Sequence, residues 1–446
     1  MSDGTMQHTH FQYLFDAVRR VDLVKVNGRV SQVIGLVIES IGPNTSLGEV
    51  CTIKSKDGED VCLTEVVGFK NNRVLSMALG DISHISPGCE IVASGKSFTV
   101  AVGQGLLGRV LDGLGKPMDG LGPLATKEVR SIYSTPPNPL DRMRIREPIT
   151  TGIRSIDTLL TCGKGQRVGI FAGSGVGKSV TMGMIARNTN ADVNVIALVG
   201  ERGREVREFI EKELGPEGLK RSVVVVATSD QTALVRLKAA FLATSIAEYF
   251  RDLGLDVMLM MDSATRVAMA QREVGLAIGE PPTTKGYTPS VFALLPKLLE
   301  RAGTSDKGSI TGLYTVLVDG DDFNEPIADA VRSILDGHIV LSRRLASAGQ
   351  YPAVDVLESI SRVMPDVTTL EHRNQVQRFS DILATYKEAE DLINIGAYVR
   401  GSNPRIDYSL SKIESVRTFL KQGIDEKITT QANMQSLHSI VGDSVA

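Results

Sequence analysis

Arg167-Val-Gly-Ile-Phe-Ala172-Gly173-Ser174-Gly175-Val176-Gly177-Lys178-Ser179-Val180 passes from an apolar run, through a glycine-rich turn, into a helical pattern that continues to Asn188. Arg167 to Phe171 reads as a buried strand and Lys178 to Asn188 as a helix. Small residues between a strand and a helix let backbone N–H groups approach phosphate oxygens, and the helix N-terminus adds a favourable dipole. Gly173, Ser174, Gly175, Val176, Gly177, Lys178, Ser179 and Val180 are therefore the candidate nucleotide-binding residues. Lys178 is placed to reach the β- and γ-phosphates, and the Ser179 hydroxyl to bind Mg²⁺. The loop departs from the usual Gly-x4-Gly-Lys-[Ser/Thr] pattern at its first position, which is Ala172; that position ends the strand, where a single methyl fits.

Downstream of this stretch, strands and helices alternate. Val193 to Val199 reads as a strand, Glu205 to Leu214 as a helix ended by Gly215-Pro216, and Ser222 to Thr228 as a strand whose valine run suits a sheet buried on both faces. Ala233 to Leu253 is a long helical pattern and Val257 to Met261 another apolar strand. Such alternation with short connections predicts a parallel sheet covered by helices. Asp262 ends the last of these strands, where a carboxylate can hold the shell of a Mg²⁺ bound to phosphate. Glu201 follows Val199-Gly200 and would lie beside a γ-phosphate, able to orient an attacking water. On spacing alone, an ion pair with Arg202 or Arg204 explains Glu201 equally well.

The rest of the chain has different patterns. From Val24 to Val100, short β-rich runs (Val33 to Ile41, Glu49 to Ile53, Val61 to Phe69, Arg73 to Ala78) alternate with Gly, Pro, Asn and Asp, the pattern of a small β-barrel or sandwich. Between Arg130 and Pro148, four prolines exclude regular structure and mark a strap. After Asp366 the period is helical: Val376, Phe379, Leu383 and Tyr386 step by three and four, as do Leu410, Ile413, Val416 and Leu420. Phe11, Leu14, Phe15 and Val18 form one face of a short helix, packed on its own domain or serving as a docking arm. The expected organisation is α/β: an arm over 1–22, a β-barrel over 23–95, a phosphate-loop parallel-sheet domain over 96–366 and a helical domain over 367–446.

The chain has 446 residues, about three domains' worth. Its 49 Lys+Arg against 52 Asp+Glu give a formal charge of −3, which argues against binding nucleic acid by gross electrostatics. With 42% apolar and 23% charged residues it is globular in composition. Cys51, Cys62, Cys89 and Cys162 lack Cys-x-x-Cys spacing and read as core residues in a reducing compartment. The N-terminus has no signal-peptide pattern and no apolar run approaches ~18 residues, so the expectation is a cytoplasmic protein whose membrane association is peripheral.

Gly200-Glu201-Arg202, Asp262-Ser-Ala-Thr-Arg266 and Pro352-Ala-Val-Asp-Val-Leu-Glu-Ser359-Ile-Ser361-Arg362 together resemble the hexameric rotary-type ATPases, which include the α and β subunits of ATP synthase. Phe323-Asn-Glu-Pro-Ile-Ala-Asp329, Ile334-Leu-Asp-Gly-His-Ile-Val-Leu-Ser-Arg343 and Leu392-Ile-Asn-Ile-Gly-Ala-Tyr398 narrow the resemblance to the flagellar protein-export ATPases, relatives of the virulence type III secretion ATPases. The resemblance runs from about residue 24 to the end. It implies a RecA-type core and a Mg²⁺-dependent ATPase working as a homohexamer in protein export. It also implies Glu201 as the catalytic carboxylate, Arg202 near the γ-phosphate, Tyr351 stacked on adenine and Arg362 as an arginine finger reaching the neighbouring subunit's nucleotide. The partners it implies are a regulatory dimer at the N-terminal arm, a coiled-coil stalk in the ring pore facing the loop Gly279 to Pro289, and the export gate with substrate and chaperone complexes at the C-terminal helices. A virulence secretion ATPase or a subunit of another rotary assembly is the alternative. An RNA-binding ring helicase is disfavoured by a barrel whose one aromatic before Phe98 is Phe69.

Overall fold

The computed structural model describes residues 26–318, 322–323, 325–427 and 429–442. The chain divides into two compact units, Met1–Ser97 and Phe98–Ala446. The helix expected around Phe11 to Val18 lies outside the described residues.

In the first unit, six strands close a barrel: β1 (Gly28–Ile34), β2 (Val37–Ile41), β3 (Glu49–Lys54), β4 (Asp60–Lys70), β5 (Arg73–Ala78) and β6 (Glu90–Ser97), in the order β1-β2-β5-β4-β3-β6. Closure removes exposed edges, and alternate residues point inward. Val30, Ile38, Ile53, Val66, Val74 and Ile91 fill the interior with Cys51, Cys62 and Cys89. The run Val33 to Ile41, read from sequence as one strand, is a hairpin. Its turn falls at Gly35-Leu36, where Gly35 adopts φ +56°, a conformation open to glycine at little cost.

In the second unit, a largely parallel sheet carries β7 (Val110–Asp112), β8 (Arg167–Ala172), β9 (Val193–Val199), β10 (Ser222–Ala227), β11 (Asp256–Asp262), β12 (Ser309–Leu317), β13 (Gly337–Leu341) and β14 (Val354–Ser361). The order is β14-β13-β8-β12-β11-β9-β10-β7, and β14 runs antiparallel to β13. Every residue of β9 and β10 is buried, which is why their sequences are almost wholly apolar; the polar members, Asn194 and Ser222, are hydrogen-bonded. The covering helices include α1 (Lys178–Asn188), α2 (Ala233–Asp252), α3 (Ala264–Ile278) and α4 (Pro326–Ile334). Gly215, at φ +65°, closes the helical stretch before it, as expected from sequence. Helical turns run from Gly203 to Leu214, and a further short helix spans Gly215–Lys220. Pro216 sits in its first turn, where the missing N–H costs nothing.

Three helices follow: α5 (Leu370–Asn394), α6 (Pro404–Leu420) and α7 (Thr430–Val441). Thr369, Asn403 and Thr429 cap them, each side chain accepting from a backbone N–H of the first turn. Phe379, Ile382, Ile413, Val416, Phe419 and Leu437 join the same apolar core as Val168 and Ile170 of β8. The helical region and the sheet are thereby packed as one body. All four cysteines are buried and unpaired. No helix among the described residues is long and apolar enough to cross a membrane.

Candidate active site

β8, β12, β11 and β9 are neighbours and parallel, so their C-terminal ends form one rim. Ligands of open α/β sheets bind at that end. The loop after β8, Thr315 of β12, Asp262 at the end of β11 and Glu201 just beyond β9 all meet there. Ala172 is buried in register with Leu317 and Leu341, so its methyl belongs to the strand and is accommodated. Gly175 and Gly177 adopt φ +77° and +86°, which turns successive N–H groups toward one cleft. Val176 differs from its neighbours: its side chain is buried in the core beneath the loop, leaving only its backbone to serve a ligand.

Lys178, the first residue of α1, lies between two carboxylates. Its Nζ is hydrogen-bonded to Asp262 Oδ1 and lies 3.4 Å from Glu201 Oε1. Asp262 Oδ1 also accepts from Thr315 Oγ1 at 2.7 Å. Burial alone would pull the Lys178 ammonium down; the two carboxylates outweigh it and hold its pKa above the usual lysine value. Burial pushes the Glu201 carboxyl up. Lys178 opposes that shift, while Asp262 and a hydrogen bond with Glu205 reinforce it. Glu205 is correspondingly lowered, first through its hydrogen bond with Glu201. The structure therefore gives Glu201 Lys178 and Glu205 as its partners. Arg202 pairs with Glu205 at 3.3 Å and is largely exposed at the cleft mouth.

The cleft, about 530 Å³, also receives Ser179, Val180 and Arg266. Arg266, read from sequence only as part of a motif, packs under Gly200, and its Nε is buried without a hydrogen-bond partner. Thr315 and Glu205 were likewise not singled out. Glu205 carried a signal, lying one helical turn beyond Glu201 in an acidic-basic run; a threonine within an apolar strand carried none.

Tyr351 lies against the end of the phosphate loop: a Cβ on Gly177 would stand 3.5 Å from its ring. The ring is 47% exposed and borders a shallow hollow with Arg154, Thr418, Gln422 and Glu426. Gln422 N–H donates to the Tyr351 carbonyl at 2.9 Å. Arg154 donates to the carbonyls of Phe419 and Lys421 and pairs with Glu426. Residues some 270 positions apart thus build one wall, which no local pattern could announce.

Arg362 is elsewhere. Ser361 pairs with Gly337, while Gly169 pairs with His338 and Ala172 with Leu341. Arg362 therefore lies at the start of β8, and the phosphate loop at its end. Its N–H donates to the Asp336 carbonyl at 3.0 Å, and its exposed guanidinium reaches the Leu335 carbonyl at 3.5 Å.

A glycine-rich loop with its lysine poised among acidic strand ends of one parallel sheet defines a phosphate-loop nucleoside triphosphatase. Family models match three successive regions: the ATP synthase alpha/beta family beta-barrel domain at 30–95, the nucleotide-binding domain of the same family at 152–361, and the T3SS EscN ATPase C-terminal domain at 368–439. The chain is 58% identical over 439 residues to the flagellum-specific ATP synthase of Bacillus subtilis, covering 97% of this chain and 99% of that one. Among solved structures, the assembled ATPase EscN of the enteropathogenic E. coli type III secretion system superposes with a TM-score of 0.88 at 46% identity, covering 93% of this chain and all of that one. EscN in complex with its central stalk EscO gives 0.86 at 45% identity, with the same coverage. The chain belongs to the ATP synthase alpha/beta family, in its branch of flagellum-specific and type III secretion ATPases.

Proposed function

We propose that this protein hydrolyses Mg-ATP as a homohexameric ring and thereby assists export of flagellar proteins through a type III secretion apparatus. The observation that carries the reading is the convergence of Lys178, Glu201 and Asp262 at the phosphate loop, in a chain whose near-full-length relatives are flagellum-specific and type III secretion ATPases.

The donor set suits Mg²⁺. The Ser179 hydroxyl and the Asp262 carboxylate are hard oxygen ligands, and they make an incomplete shell of the kind phosphate oxygens and water complete. When bound, the ion neutralises charge on the triphosphate. Lys178 turns from Asp262 to the β- and γ-phosphates, and that turn frees the Asp262 carboxylate. Backbone N–H groups of Gly173 to Ser179 hold the phosphate oxygens. Glu201 orients the attacking water and takes up its proton, a role for which a raised carboxyl pKa is suited. Arg202 stands at the γ-phosphate side of the cleft. Tyr351 supports the adenine ring. Arg362 enters the site of the neighbouring subunit and stabilises charge on the transferred phosphoryl, a contribution of ~10³–10⁵ in rate in related enzymes.

Around that ring, the arm over 1–22 meets a regulatory dimer, and the loop Gly279 to Pro289 faces a coiled-coil stalk in the pore. The helical domain over 367–446 faces the export gate and substrate–chaperone complexes. The protein works in the cytoplasm, peripherally at the membrane face, and binds no nucleic acid. Mg-ATP turnover per chain, measured against protein concentration with light scattering on the same samples, tests the reading. Turnover should rise steeply as rings form. Complete rings that stay inactive at every concentration would overturn it in favour of a hetero-oligomeric assembly.

A further inference from the structure

His338 occupies a singular position on β13. Register pairs it with Ile360 on the antiparallel strand β14, and Asp336 stands opposite Arg362. Side chains alternate across a strand, so His338 and Arg362 share one face as diagonal cross-strand neighbours, a relation that brings long side chains within reach of each other. The imidazole is half-buried. On one side its ring meets Phe171 of β8 edge-on, with centroids 5.8 Å apart. On the other, Nε2 lies 3.1 Å from the Glu358 carbonyl.

The charges around this ring are mixed. Arg362 and Glu358 approach from β14, and Glu358 is itself paired with Lys387 of α5. Arg332 approaches from α4, paired with Asp329. At the start of the two strands Asp336 is taken up by Arg167. The imidazole thus lies in the field of two guanidinium groups, one of them, Arg362, only loosely tethered, with Nη1 3.5 Å from the Leu335 carbonyl.

We propose that His338 is a positioning residue for Arg362. As a neutral imidazole donating to the Glu358 carbonyl, it supports the strand that carries the guanidinium and leaves Arg362 free to extend toward a neighbouring subunit. As an imidazolium it adds a third positive charge beside Arg332 and Arg362 and displaces Arg362 from that pose. The ring then loses turnover on acidification without losing nucleotide binding. Burial, with the two arginines reinforcing it against Glu358, holds the imidazole below its usual pKa, so the neutral form prevails at neutral pH. The inference rests on the role of Arg362 in trans.

The test is the pH dependence of kcat and KM for Mg-ATP in assembled rings, for wild type, His338→Gln and His338→Lys, with light scattering to establish the rings. Glu201, with its raised carboxyl, adds its own acid limb, so the decisive comparison is between profiles. His338→Gln should keep activity further into acid than wild type. His338→Lys, a permanent cation, should lower kcat about tenfold or more at every pH while KM moves by less than about twofold, because repulsion at this range acts on the arginine and not on the nucleotide. A His338→Gln profile that superposes on wild type overturns the inference, and so does a His338→Lys ring with wild-type kcat. Arg362→Ala with full turnover overturns the trans-arginine reading itself, and this inference with it; an inactive Arg362→Ala alongside an unshifted His338→Gln profile overturns this inference alone.

Discussion

If Arg362 serves the neighbouring subunit, two dead chains should make a live ring. Arg362, opposite Asp336, is level with Arg167, so the guanidinium starts five residues short of Ala172, about 17 Å along the sheet at ~3.3 Å per residue, before the loop itself is crossed. An arginine side chain spans roughly half of that. The perturbation is to mix Arg362→Ala, whose phosphate loop is intact, with Lys178→Ala, whose arginine is intact. Each alone should fall by ~10³-fold or more, since each lacks a group acting on the transferred phosphoryl. In rings assembled at equal ratio, a given interface joins an intact Lys178 to an intact Arg362 with odds of one half times one half. Independent sites would therefore recover about a quarter of wild-type turnover per chain, and sites that fire cooperatively less. The assay is steady-state Mg-ATP turnover on mixed rings whose composition is verified by mass. Verified mixed rings with no recovery, or Arg362→Ala rings at full rate, would refute the placement.

Three further outcomes are expected. Glu201→Gln should retain ATP binding, read by a fluorescent nucleotide, while turnover drops about 10²–10⁴-fold; unchanged turnover would remove Glu201 from its role. Tyr351→Ala should raise KM for ATP about fivefold at near-constant kcat, because loss of one stacking partner is worth about 1 kcal/mol; a fall in kcat alone would place the ring elsewhere in the cycle. Asp157 is buried and accepts from Thr151 N, Thr151 Oγ1 and Gly152 N, yet burial dominates and raises its carboxyl to about 6. A folded-state pKa above the unfolded one gives stability that is present at low pH and lost as pH rises through about 6. Between pH 7.5 and 5, Asp157 should therefore add about 1.4 kcal/mol. The change in unfolding free energy from pH 7.5 to pH 5, from denaturant titrations, should be more favourable in wild type than in Asp157→Asn by about that amount; equal changes would refute it.

What was legible in the sequence was legible for local reasons. Strand, loop and α1 are contiguous, and their periods change within a few residues of Gly173 and Lys178. Asp262 could be read because it ends an apolar run in which every residue is buried. Glu201 was ambiguous on spacing alone, and the ambiguity is physical: it touches a cation, but that cation is Lys178, twenty-three residues upstream, and Arg202 turns to Glu205 instead. Parallel pairing produces such neighbours, because β8 and β9 are separated in the sheet by β12 and β11. The hairpin at Gly35 was hidden by apolar residues on both sides of its turn. Thr315 was hidden because a hydroxyl in a buried strand looks like any other β-branched residue until its acceptor, Asp262, is placed beside it.

The wall built from distant residues beside Tyr351 ties the helical region to the end of the phosphate loop. Helix α6 ends at Leu420, and the segment after it is held at three points: Gln422 N–H on the Tyr351 carbonyl, the Gln422 side chain between Arg154 N–H and the Gly152 carbonyl, and Glu426 on the Arg154 guanidinium. Arg154 lies at the start of a short helix whose Asp157 in turn fixes Thr151 and Gly152. Tyr351 itself rests on Gly177, one residue before Lys178. If Tyr351 supports the adenine ring as proposed, a shift of its side chain on nucleotide entry would pull on a backbone hydrogen bond to the end of α6, and Phe419 and Leu420 would carry that displacement into the core shared with α5 and α7. Packed interiors transmit such a shift because they have no slack to absorb it. The connection runs through one strap of chain and one arginine, so on the proposed adenine role of Tyr351 the helical region would have a mechanical path to the nucleotide base separate from Glu201 and Asp262.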